Sequence, residues 1–154
     1  MNSAVVSEVR SVLIPLADRQ LLLPNAVVAE VLGYQPPEKV DGKPDWYLGN
    51  MAWRGVLIPV ISFESMLGGA DVTPGHRGRI AIMNALNGNN RLTHFGVVVQ
   101  AIPSLVRVTT DNVLPKPDTS AEESVFIKQV VELDLSTAYI PDLDEIERQL
   151  VEVL

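Results

Sequence analysis

The apolar residues of this chain come in short runs, each closed off by glycine, proline or charged turn residues. This pattern restricts the possible folds more than any other feature. Residues 11–16, 20–23, 27–32, 55–61, 79–86, 92–100, 105–109 and 125–133 each read as a strand. No long helical segment separates them, and parallel neighbours need such crossovers. The expected fold class is all-β with minor α: small barrels, which leave no free strand edges, and a C-terminal helix.

The connections carry their own signals. Ala17-Asp18-Arg19 reads as a hairpin turn. Asn87-Gly88-Asn89-Asn90 is the strongest hairpin signal, because Asn-Gly supplies the positive φ angles of a tight turn. Residues 33–44 and 112–123, rich in proline and charge, read as exposed loops, and residues 45–50 as a single helical turn. Pro59 cannot donate to a ladder, so its strand is expected at a sheet edge or with a bulge there. Ser62 is placed to cap a short helix over 62–67, with Glu64 in the first turn and Gly68-Gly69 at its end. Asp142 and Glu145 form a capping-box pattern. Leu143, Ile146, Leu150 and Leu154 then recur at helical spacing, a stripe expected to pack on the body of the protein. A repeat is also visible: residues 12–31 and 80–108 both read strand, turn, strand, proline, strand. Two related barrels that exchange chain would produce it.

Composition narrows the function. The 154 residues carry a net charge of -7, which opposes nucleic-acid phosphates and anionic lipid headgroups. The short basic run His76-Arg77-Gly78-Arg79 reads as a charged turn before a strand. With no cysteine, disulfide scaffolds, zinc ribbons and thiol nucleophiles are excluded. Residues 1–10 lack a signal-peptide pattern, and apolar stretches such as Phe95–Val99 are too short to span a bilayer. A soluble cytoplasmic protein without direct membrane insertion is the expectation. The two histidines, His76 and His94, have no partners at catalytic or metal-ligand spacing. Gly42-Lys43-Pro44 breaks the phosphate-loop pattern at its last position. No active site, metal or cofactor is expected.

The segment 48–61 stands out, with Trp53 and Arg54 immediately before Gly55 and an apolar strand. Two readings stay open. One is a loop-to-strand junction in which Arg54 pairs with a nearby carboxylate. The other is an interaction surface anchored by Trp53, since Trp and Arg are enriched at binding hot spots.

This segment resembles the signature of CheW-like domains, the coupling proteins of bacterial chemotaxis. Gly49, Arg54, Gly55, Ile58, Pro59, Val60, Ile61, Leu67 and Gly68 stand at the signature's positions, with Ser62 and Phe63 where Asp-Leu is usual. Val28-Ala29-Glu30-Val31 is similar to the family's Val-x-Glu-Val segment. Residues 95–99 and 106–108 are similar to a later strand and the valines after it, with Gln100 replacing the usual Asp. Residues 126–130, with Gln129 where Gly is common, and 140–146 match more loosely.

The resemblance implies one domain over residues 9–150, built as two intertwined five-stranded SH3-like barrels after a tail at residues 1–8. It implies a non-enzymatic scaffold that couples the cytoplasmic tips of chemoreceptors to the regulatory domain of a CheA-type histidine kinase, as a monomer or weak dimer. Carried over by position, Val28, Glu30 and Val31 lie near a partner surface and Arg54 and Gly55 shape the groove between the barrels; with Trp53, the anchor read from the residues, they make up the expected partner-binding set. The replacements at 62 and 100 suggest a divergent member, such as one serving pilus-linked twitching motility. The competing readings are a small-barrel nucleic-acid-binding module and an uncharacterised enzyme.

Overall fold

The computed structural model describes residues 8–69, 73–116 and 124–154. Strand β1 (Val9–Pro15) turns back into β2 (Gln20–Pro24), pairing Ser11 with Pro24 and Pro15 with Gln20. After one 3-10 turn at Asn25–Val27, β3 (Val28–Gly33) departs for a second sheet. There it joins β4 (Tyr47–Trp53), β5 (Val56–Ile61), β6 (Arg79–Asn84) and β7 (His94–Val99), in the order β3-β6-β7-β5-β4. Strand β8 (Ser104–Val108) then returns to pair with β1. With β9 (Val113–Pro115), β10 (Ile127–Leu133) and β11 (Ser136–Pro141), the first sheet reads β8-β1-β2-β11-β10-β9. Helix α1 (Phe63–Met66) follows β5, and α2 (Leu143–Val153) follows β11.

The exchange of chain expected from the repeat is present. Each hairpin, β1–β2 or β6–β7, sends its next strand to the other sheet, where it pairs with the first strand of that sheet's hairpin. The correspondence runs further. The β4–β5 and β10–β11 hairpins both have two-residue turns, and both end in register shifts, at Tyr47/Gly49 and Ile127/Gln129. Ser62 and Asp142 then cap the two helices by accepting from the amides of Ser65 and Glu145.

Three apolar cores result among the described residues. One fills the second barrel with Trp53, Ile58, Val60, Ile80, Ile82 and Val98. Another fills the first barrel around Leu22, Val131, Leu133 and Ala138. The largest lies between the barrels and includes Ile14, Leu23, Phe63, Met83, Phe95 and Leu150. Alternate residues of β6 and β7 therefore face a barrel interior or the shared core, so these strands are apolar on both faces. Gly96 is required by this crowding: a Cβ there would lie 2.9 Å from Ile80 Cγ2.

Several expectations are corrected. Residues 45–50 form no helical turn; Tyr47 onward is strand β4, because Tyr47 and Gly49 pair with Ile61 and Val60. Gly49 lies so close to the Glu38 carbonyl that a Cβ would approach it to 2.3 Å. Strand β5 is neither at an edge nor bulged at Pro59. It lies between β4 and β7, and its pairing with β7 begins only at Val60, one residue past the proline. The β6–β7 connection is a longer loop than a tight Asn-Gly turn, since the ladder ends at Asn84 and His94 and Leu92 folds into the shared core. Strand β11 was not among the apolar runs read as strands; the loose family match at 140–146 touches only its end. Part of the 112–123 loop is strand β9, a sixth member of the first sheet. Residues 117–123, and residues 1–7 of the expected tail, lie outside the described residues.

The helices tie the barrels together through carboxylates. Glu64 of α1, which follows the second barrel, accepts at 3.0 Å from the amide of Ala17 in the first barrel's hairpin turn. Glu147 of α2, which follows the first barrel, accepts from the amides of Leu86 at 2.8 Å and Asn87 at 3.1 Å in the second barrel's loop. Both side chains are buried, and each satisfies donors that water would otherwise serve.

Candidate functional site

Strands β3 and β4 are the two edges of the second barrel's sheet, and side chains bridge them where three of the six singled-out residues, Glu30, Trp53 and Arg54, come together. Trp53, at the end of β4, donates its indole N–H to Glu30 Oε1 of β3 at 2.9 Å. Arg54, the first turn residue after β4, reaches the same oxygen at 3.4 Å and lays its guanidinium 4.8 Å from the Trp53 ring centroid. His94 stacks on Trp53 at 4.6 Å between ring centroids. One carboxylate thus organises an indole and a guanidinium, with an imidazole beside them.

Local chemistry explains the turn. Arg54 (φ 49) and Gly55 (φ 78) both have positive φ, the two-residue hairpin geometry that matches strand twist. Glycine adopts it freely, whereas arginine does so at a cost. Arg54 is nevertheless 69% exposed at the side chain, so its strained backbone presents a cation to solvent beside the exposed Val56 and Leu57.

The six residues differ in what they offer. Trp53 is 9% exposed and belongs to the barrel core, so its ring supports the turn from beneath and is not an outward anchor. Val31 is exposed on edge strand β3, while Val28 packs against the shared core at the foot of that strand. Of the two readings of the Trp53-Arg54 junction, the geometry shows the carboxylate pairing, Arg54 with Glu30. The His76-Arg77-Gly78-Arg79 run is a turn, with Arg79 folded back on the carbonyls of Arg77 and Gly78 at 2.9 and 2.8 Å. Among the described residues, no cluster of three or more His, Asp or Glu could hold a metal ion, and no helix is long and apolar enough to cross a membrane.

A second surface lies on the first barrel. Arg10, Ser11, Asn25, Leu105, Val106 and Arg107 line an open cleft of about 400 Å³ along β1 and β8. Arg10 and Arg107 are direct cross-strand partners, and Arg107 also reaches Glu8 at 3.8 Å, so the two cations are partly compensated within the chain. Leu105 beside them is 75% exposed. In the doubled topology Leu105 occupies the place of Val31: they pair with Val12 and Ala81, matched positions of β1 and β6.

A CheW-like domain model matches residues 10–150 of the chain. The chain belongs to the CheW-like domain family. A chemotaxis protein CheW of Rhizobium meliloti (strain 1021) is 23% identical over 132 residues, 85% of this chain and 82% of that protein. A probable chemotaxis protein CheW of Rhizobium etli is 24% identical over 120 residues, 77% of this chain and 74% of that protein. The crystal structure of the scaffolding protein TtCheW from Thermoanaerobacter tengcongensis superposes with a TM-score of 0.75 at 21% identity, covering 93% of this chain and 90% of that one. That likeness shows the two-barrel fold. CheW-like membership supports the chemotaxis-adaptor reading that the resemblance implied.

Two departures from the CheW-like signature find their setting here. Ser62 serves as the α1 cap, and Gln100 donates to the buried Glu64 at 3.5 Å. The exposed Leu105 and the Arg10–Arg107 pair escaped the sequence reading. Only the register of β8 against β1 shows that these residues share one surface.

Proposed function

We propose that this chain is a non-catalytic cytoplasmic adaptor that couples the cytoplasmic tips of chemoreceptors to the regulatory domain of a CheA-type histidine kinase. Residues 9–150 act as one unit, as a monomer or weak dimer. The kinase domain docks on the closing seam of the second barrel, on Val28, Glu30, Val31, Arg54 and Gly55, with Trp53 holding the turn in place. The observation that carries this reading is the exposed Arg54, kept in a costly left-handed conformation and aligned by Trp53 and Glu30. Arginine is among the residues enriched at binding hot spots, and this one stands exposed beside apolar residues. The cleft along β1 and β8 serves the receptor, because Leu105 offers an apolar anchor and the Arg10–Arg107 pair gains from acidic side chains on a partner.

Calorimetry with a CheA-type regulatory domain tests the seam. The wild-type chain binds, and Arg54→Glu weakens binding by about tenfold or more while circular dichroism stays unchanged. Absence of wild-type binding to kinase and receptor fragments alike would refute the adaptor reading. Unchanged affinity in the Arg54 variant would remove the seam from it.

A further inference from the structure

The β6–β7 loop contains a chemical feature that the adaptor function does not use. Asn87 is followed by Gly88, and residues 86–91 are exposed. Gly88 has φ 71, and nothing lies within 4 Å of where its Cβ would be. Its amide makes no hydrogen bond among the described residues, and neither does the Asn87 side chain. Most other asparagines are held. Asn50 accepts from Tyr47, Asn84 donates to the Ala26 carbonyl, Asn89 accepts from the Arg91 amide, and Asn112 is bonded to Thr109 and Arg107. None of those four is followed by glycine.

We propose that Asn87 is a self-modification site whose conversion to aspartate or isoaspartate loosens helix α2 from the second barrel. The backbone nitrogen of Gly88, unhindered by a side chain, attacks Cγ of Asn87. A new N–Cγ bond forms, the Cγ–Nδ2 bond breaks, and ammonia leaves with the amide proton. Water then opens the five-membered imide at either carbonyl. Opening at the original backbone carbonyl leaves the main chain running through the side chain; opening at the other gives aspartate. Either product carries a carboxylate that asparagine lacks.

That charge arrives at a sensitive place. The amides of Leu86 and Asn87 both donate to the buried carboxylate of Glu147, the contact that ties this loop to α2. The new carboxylate on residue 87 repels Glu147, and the isoaspartyl product also inserts one carbon into the main chain between the residue 87 Cα and the Gly88 nitrogen. A buried acceptor that loses its donors is destabilising, so the loop and helix separate more readily.

The test is storage of the full chain at mildly alkaline pH, followed by ion-exchange separation and peptide mapping that distinguishes aspartate from isoaspartate. Asn87 is expected to convert before Asn25, Asn90 and the four held asparagines, and Asn87→Gln is expected to abolish the acidic species. The converted protein and Asn87→Asp should each melt about 2–8 °C below Asn87→Gln. In a Glu147→Gln background the difference between Asn87→Asp and Asn87→Gln should shrink. An intact Asn87 after the other asparagines have reacted would overturn the site. Conversion without a change in melting temperature would overturn the loosening.

Discussion

Trp53 and Arg54 are adjacent in sequence yet do different work. Trp53 fills the second barrel, so Trp53→Ala is expected to cost about 3–5 kcal/mol, read by denaturant unfolding. Arg54 is largely exposed, and its ion pair with Glu30 is solvated on the arginine side. Arg54→Ala should therefore shift stability by about 1 kcal/mol or less, so any large loss of partner binding in this variant reports contact and not unfolding. The matching turn of the first barrel makes the same point from the opposite side. There Asp134 and Leu135 take positive φ values of 47 and 72, and Leu135 is 93% exposed. Leu135 stands where the second barrel has Gly55. Replacing it with glycine relieves a left-handed β-carbon, offset in part by the greater entropy of glycine in the unfolded chain, so Leu135→Gly should raise stability by up to about 1 kcal/mol in chemical denaturation.

At the scale of elements, α2 combines a deep attachment with a superficial one. Its buried stripe, Ile146 and Leu150, packs into the shared core, as the spacing predicts. Its polar face carries an ion-pair run in which Arg148 bonds Glu145 and Glu152. The Arg148 hydrogen bond, reinforced by Gln149, lowers the Glu145 carboxyl from 4.5 to about 2. A depressed carboxylate favours the folded state above its unfolded pKa, and the contribution disappears as pH falls from 4.5 to about 2. Because these groups are exposed, the effect is small and salt-sensitive. Glu145→Gln should flatten that part of the acid limb in a pH series of melting curves. Glu147, on the buried face, is different in kind. Glu147→Ala leaves the Leu86 and Asn87 amides without their acceptor and is expected to cost about 2–3 kcal/mol.

At the scale of the whole molecule, the exchange of β3 and β8 and the two carboxylate ties bind the barrels into one body. The two proposed docking surfaces use the same plan differently. The second barrel offers its closing seam, with Arg54 held by Glu30, and the first offers the β1–β8 cleft with Leu105 in the place of Val31. Leu105→Asp is expected to weaken binding of a chemoreceptor-tip fragment by about tenfold or more while leaving kinase binding intact, measured by calorimetry with each partner.

Local chemistry wrote much of this into the chain. The strand runs, the Ser62 and Asp142 caps, the helical stripe of α2 and the repeat of strand-turn-strand-proline-strand all depend on neighbours within a few residues, and they were legible. The Arg54-Gly55 turn was also visible, as was the kinship carried by its signature. Strand β4 was not, because Tyr47 to Trp53 lacks a clear alternation and is extended only by pairing with β5. Continuous apolar runs in β6 and β7 hid which residues face which core, since both faces are buried and periodicity disappears. The partners of Glu30, Glu64 and Glu147 lie 23 to 61 residues away in sequence. Glu30 meets its donors across one barrel and Glu64 and Glu147 meet theirs between the two barrels, so tertiary folding alone brings them together, and a linear pattern holds no record of that meeting.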